Sequence, residues 1–530
     1  MIQTSAEYRP FSQVREVDGL VSFEVIPKAL VKTSITAAAP TARVGAIKNA
    51  LNGEPELRKK YATVETEGWH LDGSCYIMPE SGAEIGYWTQ AVSGNDGAFS
   101  TAQVVTMTIP SPIESFGWTF HFDKPGGIWP SRIKAEWFDA NNASLGVIEG
   151  YPDGAGAADE DNGWSLVQYA NGYSKVVFTF YGTNEPRRML RIAEIDFGIS
   201  RHFSRDSITS LRLEYGLTPD SSAFPSKELT FVFDNSKGEF NVLSPAGVYQ
   251  YWRNGQILTA RMRVNGETVN MGVFRESETE IGANRLLVKV RAHDECYRLS
   301  RQKYYPGEMA QQASVTLQAA VTHVIRGYDM PVDYGGLENE PVCLIVSENH
   351  AKRTILRYLA QAARASVWID RDGVLRFRRI VNPTEVDVSA QITADELYNW
   401  QGVSIASEVV GCILTVAREY GEGHDPETET ETYTAGMPDD AGADTISVDN
   451  PCVAASQGSL VAAWLLSAAN WRKKYEVKNR CDPAVEIGDA VLIEDAFHND
   501  DPAIVTGLDI NYNGGLYAVT KAARSFETED

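Results

Sequence analysis

The sequence predicts a mainly β, multidomain protein with a small α+β part. Its 530 residues are too many for one hydrophobic core, so several domains are expected. Short stretches that alternate apolar and polar residues recur between clusters of Gly, Asn, Asp and Pro, which is typical of antiparallel strands and their turns. Apolar residues at helical spacing occur in few places, all in the second half of the chain.

Strand signals fill the chain from about residue 59 to residue 197, where no helical pattern is found. The Gly- and acid-rich segment 150–163 is predicted to be a long loop. This composition predicts a jelly-roll-like β-sandwich over residues 45–199. Its candidate strands are 104–109, 115–122, 131–139, 165–169, 175–181 and 189–197.

A second group of strands predicts a small β-barrel over residues 200–302, with Asn265 and Gly266 as a hairpin turn. Residues 303–395 follow as a small α+β module. Helical spacing predicts helices over 314–326 and 350–365, and Ser347 is a candidate cap for the second helix. A hairpin around residues 371–373 completes this helix-hairpin module.

The last region, residues 396–530, predicts a second small barrel with a helix inserted at 454–475. Gly488 and Asp489 form a turn before the strand at 491–493. Asn513, Gly514 and Gly515 are expected to supply the positive φ of a tight hairpin turn. An acidic loop at 422–431 interrupts the barrel, and the basic run 472–474 is expected to end the inserted helix.

Charge and cysteine usage restrict the function classes. The chain has 48 Lys and Arg against 71 Asp and Glu, a net charge of −23, so a basic face that grips duplex DNA is not expected. The same acidity would also keep a large surface soluble. No apolar stretch approaches the ~20 residues of a membrane span, and no secretory signal is visible at the N-terminus. The scattered cysteines indicate reduced, buried thiols and assembly inside a cell: Cys75, Cys296, Cys343, Cys412, Cys452 and Cys481.

No catalytic, cofactor-binding or metal-ligating residues are predicted. The eight histidines show no HExxH spacing, and neither a GxSxG elbow nor a phosphate loop is present. His293, Asp294 and Cys296 could suggest a thiol nucleophile with a base, but a turn and packing at a strand end are favoured. With 71 acidic residues, spacing alone identifies no glycosidase pair.

Two binding hypotheses stay open at this stage. The acidic segments 153–162 and 422–431 offer oxygen ligands for calcium, although neither has the pattern of a calcium loop and solvated loops are favoured. The sandwich is rich in aromatic residues, most of which must form its core. Trp88 and Trp129 are the candidates for loop tips where a sugar ring could stack.

Several motifs, in this order along the chain, resemble those of phage baseplate and tail-tip hub proteins. Segments 61–65, 71–74 and 191–198 are similar to a sandwich that long-tailed phages insert into the first hub barrel. The other motifs resemble the first barrel, the helix-hairpin module and the last barrel: ELTFVFDNSKGEFN (228–241), GVFRE (272–276), VRAHD (290–294), AQAARASVWIDRDGVLRF (360–377), CDPAVEIGDAVLI (481–493) and INYNGGL (510–516).

This resemblance implies a structural virion protein at the tail tip, assembled in the host cytoplasm. Hub proteins of this family are homotrimers in which two barrels of hub type per subunit form a pseudo-six-fold collar. The collar joins the hexameric tail tube and distal tail proteins to three-fold tip or fibre proteins, and DNA passes through its lumen without specific binding. Residues 1–44 would then hold an N-terminal arm and the first strand of barrel 1, at 14–26, separated from its partners by the sandwich.

Two further expectations follow. A lumen that lets DNA pass should be acidic or neutral, so most basic residues of the barrels are expected outside the bore: Arg253, Arg261, Arg263, Arg472, Lys473 and Lys474. The alternative function is a carbohydrate-binding or carbohydrate-active surface protein that uses the sandwich, with a host-surface glycan as ligand.

Overall fold

The fold is given by a computed structural model, which confirms the mainly β, multidomain class. The structure describes residues 17–24, 32–53, 59–65, 68–69, 72–78, 85–152, 163–198, 200–203, 207–236, 238, 240, 252, 255–264, 267–282, 286–305, 314–328, 330–346, 350–420, 427–436, 444–494 and 499–525.

The chain begins with β1 (Val17–Glu24) and then builds a sandwich of two five-stranded sheets. One sheet has the order β2-β5-β10-β7-β8 and the other β3-β4-β11-β6-β9. The strands are β2 (Thr36–Ala38), β3 (Ala42–Gly45), β4 (Tyr87–Val92), β5 (Ala98–Ser115), β6 (Trp118–Phe122), β7 (Pro130–Phe138), β8 (Ser144–Gly150), β9 (Trp164–Leu166), β10 (Ala170–Thr183) and β11 (Met189–Phe197).

Aromatic side chains from both sheets fill the sandwich core. Phe178 on β10 lies between Trp118 and Phe120 on β6, with ring centroids 5.7 and 5.0 Å away in edge-on geometry. All three side chains are fully buried. Such pairs add to the stabilisation that burial of their large apolar area already provides.

The sandwich starts earlier than the predicted residue 45, because β2 and β3 lie at residues 36–45 and pair with β5 and β4. These short segments contain mostly small residues, so the sequence gives no strand signal there. Lys32 precedes them and donates a 2.9 Å hydrogen bond from Nζ to Glu194 on β11. It also forms an ion pair with Asp196. Both carboxylates are buried, and Lys32 supplies one positive charge to the pair, while His121 Nε2 lies 3.0 Å from Asp196 Oδ2.

After the sandwich the chain returns to the sheet that β1 began. The strands are β12 (Ser200–Phe203), β13 (Ile208–Gly216), β14 (Glu228–Asp234), β15 (Ile257–Val264), β16 (Glu267–Ile281) and β17 (Leu287–His293), followed by helix α1 (Glu295–Arg301). β1 pairs antiparallel with both β12 and β15, so the sandwich lies between neighbouring strands of one sheet. The predicted turn at Asn265 and Gly266 lies outside the described residues.

The helix-hairpin module comprises β18 (Val315–Thr316), α2 (Leu317–Val324), β19 (Val332–Asp333), β20 (Pro341–Val342), α3 (Lys352–Ala362), β21 (Ser366–Ile369) and β22 (Leu375–Arg378). Thr316 caps α2 by accepting a hydrogen bond from the Ala319 N–H. The predicted cap Ser347 lies outside the described residues, and α3 begins after Ala351 without a side-chain cap.

The C-terminal region contains β23 (Ala390–Ile392), β24 (Leu397–Ile405), β25 (Val409–Tyr420), β26 (Glu427–Gly436), β27 (Asp444–Asp449), α4 (Gly458–Ala469), β28 (Lys473–Asn479), β29 (Ala490–Glu494), β30 (Asp500–Tyr512) and β31 (Leu516–Arg524). Short 3-10 helices occur at Lys32–Ser34, Ile47–Leu51, Pro383–Glu385, Ala394–Glu396 and Ala455–Gln457.

Three features of this region differ from the sequence-based expectation. β25, β26 and β27 form a separate three-stranded sheet, which packs with α4 against the helix-hairpin module and not in the second barrel. Part of the predicted acidic loop at 422–431 is strand, since β26 starts at residue 427. The helix is shorter than 454–475, because Asn470 ends it and bonds to Val409 through its side chain. The basic run therefore begins β28 and does not end a helix.

The two predicted barrels share one 13-stranded sheet. Its main path is β12-β1-β15-β16-β17-β14-β13-β30-β31-β28-β24, and β29 and β23 branch from β30. We call β1 and β12–β17 the first barrel, and β23, β24 and β28–β31 the second barrel. Apolar residues from both belong to one hydrophobic cluster.

The glycine turns of the second barrel have distinct geometries. Gly488 has φ +87° and donates its N–H to the Val505 carbonyl, while Asp489 accepts a hydrogen bond from the Glu486 N–H. In the β30–β31 turn only Gly514 has a positive φ, of +88°. Gly514 therefore supplies the positive φ of this turn within the run 513–515.

We expect a fragment of residues 32–198 to fold alone and unfold cooperatively, and to be more stable than a fragment of residues 45–198. The shorter fragment lacks two edge strands and leaves Glu194 and Asp196 buried without Lys32. Breaking a buried ion pair costs about 3–5 kcal/mol. Urea unfolding followed by circular dichroism measures the difference. Lys32→Met in the longer fragment should reproduce part of the loss, and equal midpoints for all three proteins would contradict this account.

We expect Gly514→Val to destabilise the second barrel by at least about 1–2 kcal/mol, because side chains with a Cβ are disfavoured at left-handed φ and branched ones most of all. Gly515→Val is the matched control. Gly515 lies outside the left-handed region and has open space around a Cβ. Thermal unfolding of the full chain checks the pair, and an equal loss in both variants would refute the argument.

Candidate assembly surface

The joint between the two barrels is the pairing of β13 with β30. Six residue pairs, from Leu211 opposite Tyr512 to Gly216 opposite Gly507, form this antiparallel ladder. On its exposed side the Arg212 guanidinium donates two hydrogen bonds of 2.8 Å to the Asp509 carboxylate. The joint is therefore made of backbone hydrogen bonds and one bidentate ion pair, the strongest geometry for such a pair.

A buried arginine fixes the helix-hairpin module to this joint. Arg371 lies at the tip of the β21–β22 hairpin and is 2% exposed. Its guanidinium donates to the carbonyl oxygens of Pro483 and, at 2.7 Å, Val485, in the segment before β29. The guanidinium carbon lies 5.3 Å from the ring centroid of Tyr215 on β13. One side chain thus contacts the first barrel and the second barrel from the module.

A second buried cation lies beside the same tyrosine. Lys227 is 3% exposed, and its Nζ lies 5.0 Å from the Tyr215 ring centroid and 4.0 Å from Glu486 Oε1. This Nζ donates no hydrogen bond within the part of the chain that the structure describes. Burial lowers the pKa of Lys227 to about 8, although Glu486 and Asp294 oppose the shift. Burial also raises the pKa of Asp294 to about 6, against the effect of Lys227.

The solvent-facing side of the shared sheet, which we call the outer face, carries nearly balanced charge. Its residues alternate with core residues along β13, β14, β16, β17, β28, β30 and β31. Several of the cations form ion pairs with carboxylates; for example, Arg291 Nη1 lies 2.8 Å from Glu278 Oε2. The outer face has seven cations (Arg212, Arg275, Lys289, Arg291, Lys474, Lys478 and Lys521) and eight anions (Glu214, Glu228, Asp234, Glu278, Glu280, Glu476, Asp500 and Asp509).

The main path of the sheet ends in two strands that are paired on one side only within the described residues. β12 pairs with β1, and β24 pairs with β28. On β24, Val403 is 39% exposed and Ile405 53% exposed. A groove of about 900 Å³ runs beside this strand. Residues 402–404, the 217–222 loop, the end of α4 and the outer-face residues Lys474 and Lys521 line it. Open strand edges with exposed apolar side chains are sites where another chain can add a strand.

The candidate glycan-stacking residues are not exposed platforms. Trp88 is fully buried, and the guanidinium carbon of Arg191 lies 4.3 Å from the centroid of its ring. Arg191 is itself held by ion pairs with Glu65 and Asp123. Trp129 is half-buried against the sandwich core. The expectation of an accessible loop tip is therefore wrong for Trp88, and for Trp129 it stays a prediction.

The residues that could suggest thiol chemistry have structural roles. Asp294 caps α1 by accepting a hydrogen bond from the Cys296 N–H, and the His293 ring stacks on Tyr297 at 4.4 Å. The Cys296 thiol donates to the Phe224 carbonyl, and burial raises its pKa well above its ordinary value. Among the described residues no cluster of three or more His, Cys, Asp or Glu could hold a metal ion. The acidic segment 153–162 lies outside them. None of the described helices is long and apolar enough to cross a membrane.

Comparison with solved structures finds similar folds in tail and tail-like proteins. A 43 kDa tail protein of prophage MuSo2 from Shewanella oneidensis is 13% identical with a TM-score of 0.42, covering 63% of this chain and 94% of its own. A tail protein from Neisseria meningitidis is 8% identical, with a TM-score of 0.43. The match covers 61% of this chain and 93% of the Neisseria protein. A component of the type VI secretion system of Escherichia coli is 10% identical, with a TM-score of 0.36. The match covers 61% of this chain and 74% of the Escherichia coli protein.

These similarities concern the arrangement of the fold alone, because the identities are so low. No protein-family model matches the chain, and no curated protein sequence matches it.

The buried charges at the joint predict a defined pH dependence. In the folded state Asp294 binds its proton more tightly than at its ordinary pKa of 3.8. Its contribution to stability is therefore full below pH 3.8 and is lost as the pH rises through about 6. Lys227 has a lowered pKa, so its contribution appears only as the pH rises from about 8 towards 10.5. At pH 7 both groups are charged and both destabilise the fold.

We expect the double variant Lys227→Met/Asp294→Asn to lose the change of stability with pH in both windows. It should be at least as stable as the wild type at pH 7. Asn still caps α1. Each single variant should be less stable than the double variant, by up to about 3 kcal/mol, because the remaining buried charge loses the opposite charge that stabilised it. The loss should be smaller for Asp294→Asn, since Lys227 Nζ keeps Glu486 Oε1 at 4.0 Å. Urea unfolding between pH 4 and pH 10 measures this. The exposed pair variant Arg132→Met/Glu149→Gln should change stability by less than about 1 kcal/mol. A double variant with a lower free energy of unfolding than both single variants would contradict the prediction.

Proposed function

We propose that this chain is a structural virion protein, a homotrimeric hub at the tail tip that joins a hexameric tail tube to three-fold tip components. One observation carries the proposal. A single sheet contains the strands of both barrels side by side, joined at β13 and β30. Its main path ends in β12 and β24, each of which is paired on one side only among the residues that the structure describes. The motif resemblance to hub proteins supports the same function independently.

The open edges favour association of copies head to tail. If the β24 edge of one copy meets the β12 edge of the next, the contact is heterologous, and repeated rotation closes it into a ring. Three copies with two barrels each then offer six similar positions, which match a six-fold tube. The exposed Val403 and Ile405 on β24 would be buried in this contact, and the groove beside β24 gives room for the neighbouring chain.

The outer face suits the wall of a bore through which DNA passes. Its cations and anions are nearly equal in number, and Arg212 and Arg291 form ion pairs with carboxylates. Free cations would bind phosphates and slow the passage, whereas a neutral wall does not. Lys474 lies on this face. In this proposal it would be an exception to the expectation that most of the named basic residues face away from the bore.

Most of the other basic residues named from the sequence are engaged elsewhere. Arg261 donates to the Gly53 carbonyl, Lys473 pairs with Asp501, and Arg472 lies 3.8 Å from Glu408. The side chains of Arg253 and Arg263 lie outside the described residues. The partners in this proposal are further copies of the chain, tail tube and distal tail proteins, tip or fibre proteins, and DNA in transit. Assembly takes place in the host cytoplasm.

The test is the mass of the protein in solution. We expect the wild type to form trimers and Val403→Glu/Ile405→Glu to be monomeric, because two charges on an open edge oppose strand addition. Leu145→Glu/Val147→Glu is the matched control. These side chains are similarly exposed, at 45% and 57%, on β8, an edge strand of the sandwich. Native mass spectrometry and light scattering distinguish the outcomes.

This control should remain trimeric and should melt as the wild type does. A wild type that stays monomeric at all concentrations, or a β8 variant that dissociates as much as the β24 variant, would refute ring formation through β24. Melting curves for both variants separate loss of assembly from loss of folding.

A further inference from the structure

Two buried cysteines lie directly opposite each other where the helix-hairpin module meets the β25–β27 region. Val342, at the end of β20, forms an isolated antiparallel bridge with Val453. The next position on each segment is a cysteine, and the Cys343 N–H donates a 2.8 Å hydrogen bond to the Cys452 carbonyl. The two cysteines are therefore cross-strand neighbours.

Positions directly opposite each other in antiparallel strands suit a disulfide. Residues directly opposite in antiparallel strands have Cα atoms about 4.5–5.5 Å apart and side chains on the same face. Disulfides span Cα separations of about 4.4–6.8 Å. A bond between the two sulfur atoms therefore needs little backbone movement.

The surroundings hold both segments in place. Asn450 accepts a hydrogen bond from the Cys452 N–H at 2.8 Å and donates one to the Tyr358 carbonyl on α3. Arg418 on β25 donates to the Val453 carbonyl at 2.7 Å. Both thiols are fully buried. Burial raises the pKa of both, and the Cys343 charge raises that of Cys452 further, so at neutral pH they stay protonated and react slowly.

We propose that Cys343 and Cys452 form a latent cross-link, which a small-molecule disulfide closes when the protein leaves reducing surroundings. One cysteine loses its proton and attacks the small disulfide, which releases one small thiol and leaves a mixed disulfide. The second cysteine then attacks the mixed disulfide and releases the second thiol. The protein loses two electrons and two protons, and the small disulfide gains them.

The cross-link would join segments that are far apart in the chain. The two positions are separated by 452 − 343 = 109 residues. It would tie the segment after β20 to the segment before α4, so the helix-hairpin module and the β25–β27 sheet could no longer separate. Closure of so long a loop restricts the unfolded chain strongly and stabilises the folded one. The inference rests on the thiol pair alone and does not depend on the proposed ring.

The test uses the full-length protein, purified in reductant and then incubated with oxidised glutathione. Remaining thiols are alkylated, and peptides are mapped by mass spectrometry without reduction. We expect a linked peptide pair containing Cys343 and Cys452, together with a rise in melting temperature of about 5 °C that dithiothreitol reverses. This measurement on the wild type needs no variant to fold.

Cysteine variants then show which residues cause the rise in melting temperature. Cys343→Ala and Cys452→Ala should each abolish the rise. Cys412→Ala should retain it, because Cys412 is also fully buried in the same hydrophobic cluster but is not opposite another cysteine. The inference is overturned if both thiols remain fully alkylated after prolonged oxidation, if another pair is linked, or if Cys343→Ala still shows the rise.

Discussion

The large sheet depends on β30, which belongs to two ladders on the same side. Its first part, Asp500 to Ile504, pairs with β29, and its second part, Gly507 to Tyr512, pairs with β13, while β31 covers most of the other side. The register of β31 shifts between Val505 and Gly507, where the partner on the opposite side changes. Such shifts bend a strand. The backbone of this one strand therefore holds the first and second barrels in a fixed relation.

Arg371 stabilises the same joint from outside the sheet. A buried guanidinium is costly unless its donors find acceptors. Here two backbone carbonyls accept hydrogen bonds from the two terminal nitrogens of Arg371, and the Tyr215 ring covers one side. The hairpin that carries it also contributes Trp368 to the cluster that both barrels share. The helix-hairpin module is thus fixed to the sheet through side chains, although its own hydrophobic cluster is separate.

The sequence predicted features set by local pattern and missed those set by long-range partners. The alternation in β7 and β10 made the sandwich predictable, whereas β2 and β3 contain mostly small residues and are strands only because β5 and β4 offer edges. Trp88 was a candidate for a loop tip, but it is buried, and Arg191, which packs on its ring, lies on another strand. Arg371 in an Arg-Asp-Gly turn suggests exposure, and nothing local indicates its partners more than 100 residues away.

The way the sandwich joins the sheet has a consequence for how such chains diversify. Glu24 at the end of β1 lies opposite Ser200 at the start of β12, so the inserted segment leaves and re-enters the sheet at neighbouring backbone positions. For the sheet, these 175 intervening residues (25 to 199) are equivalent to the turn of a hairpin. Loop closure entropy grows only slowly with loop length. A recombination event could therefore remove the sandwich, or exchange it for another domain, while the ladder between β1 and β12 keeps its register.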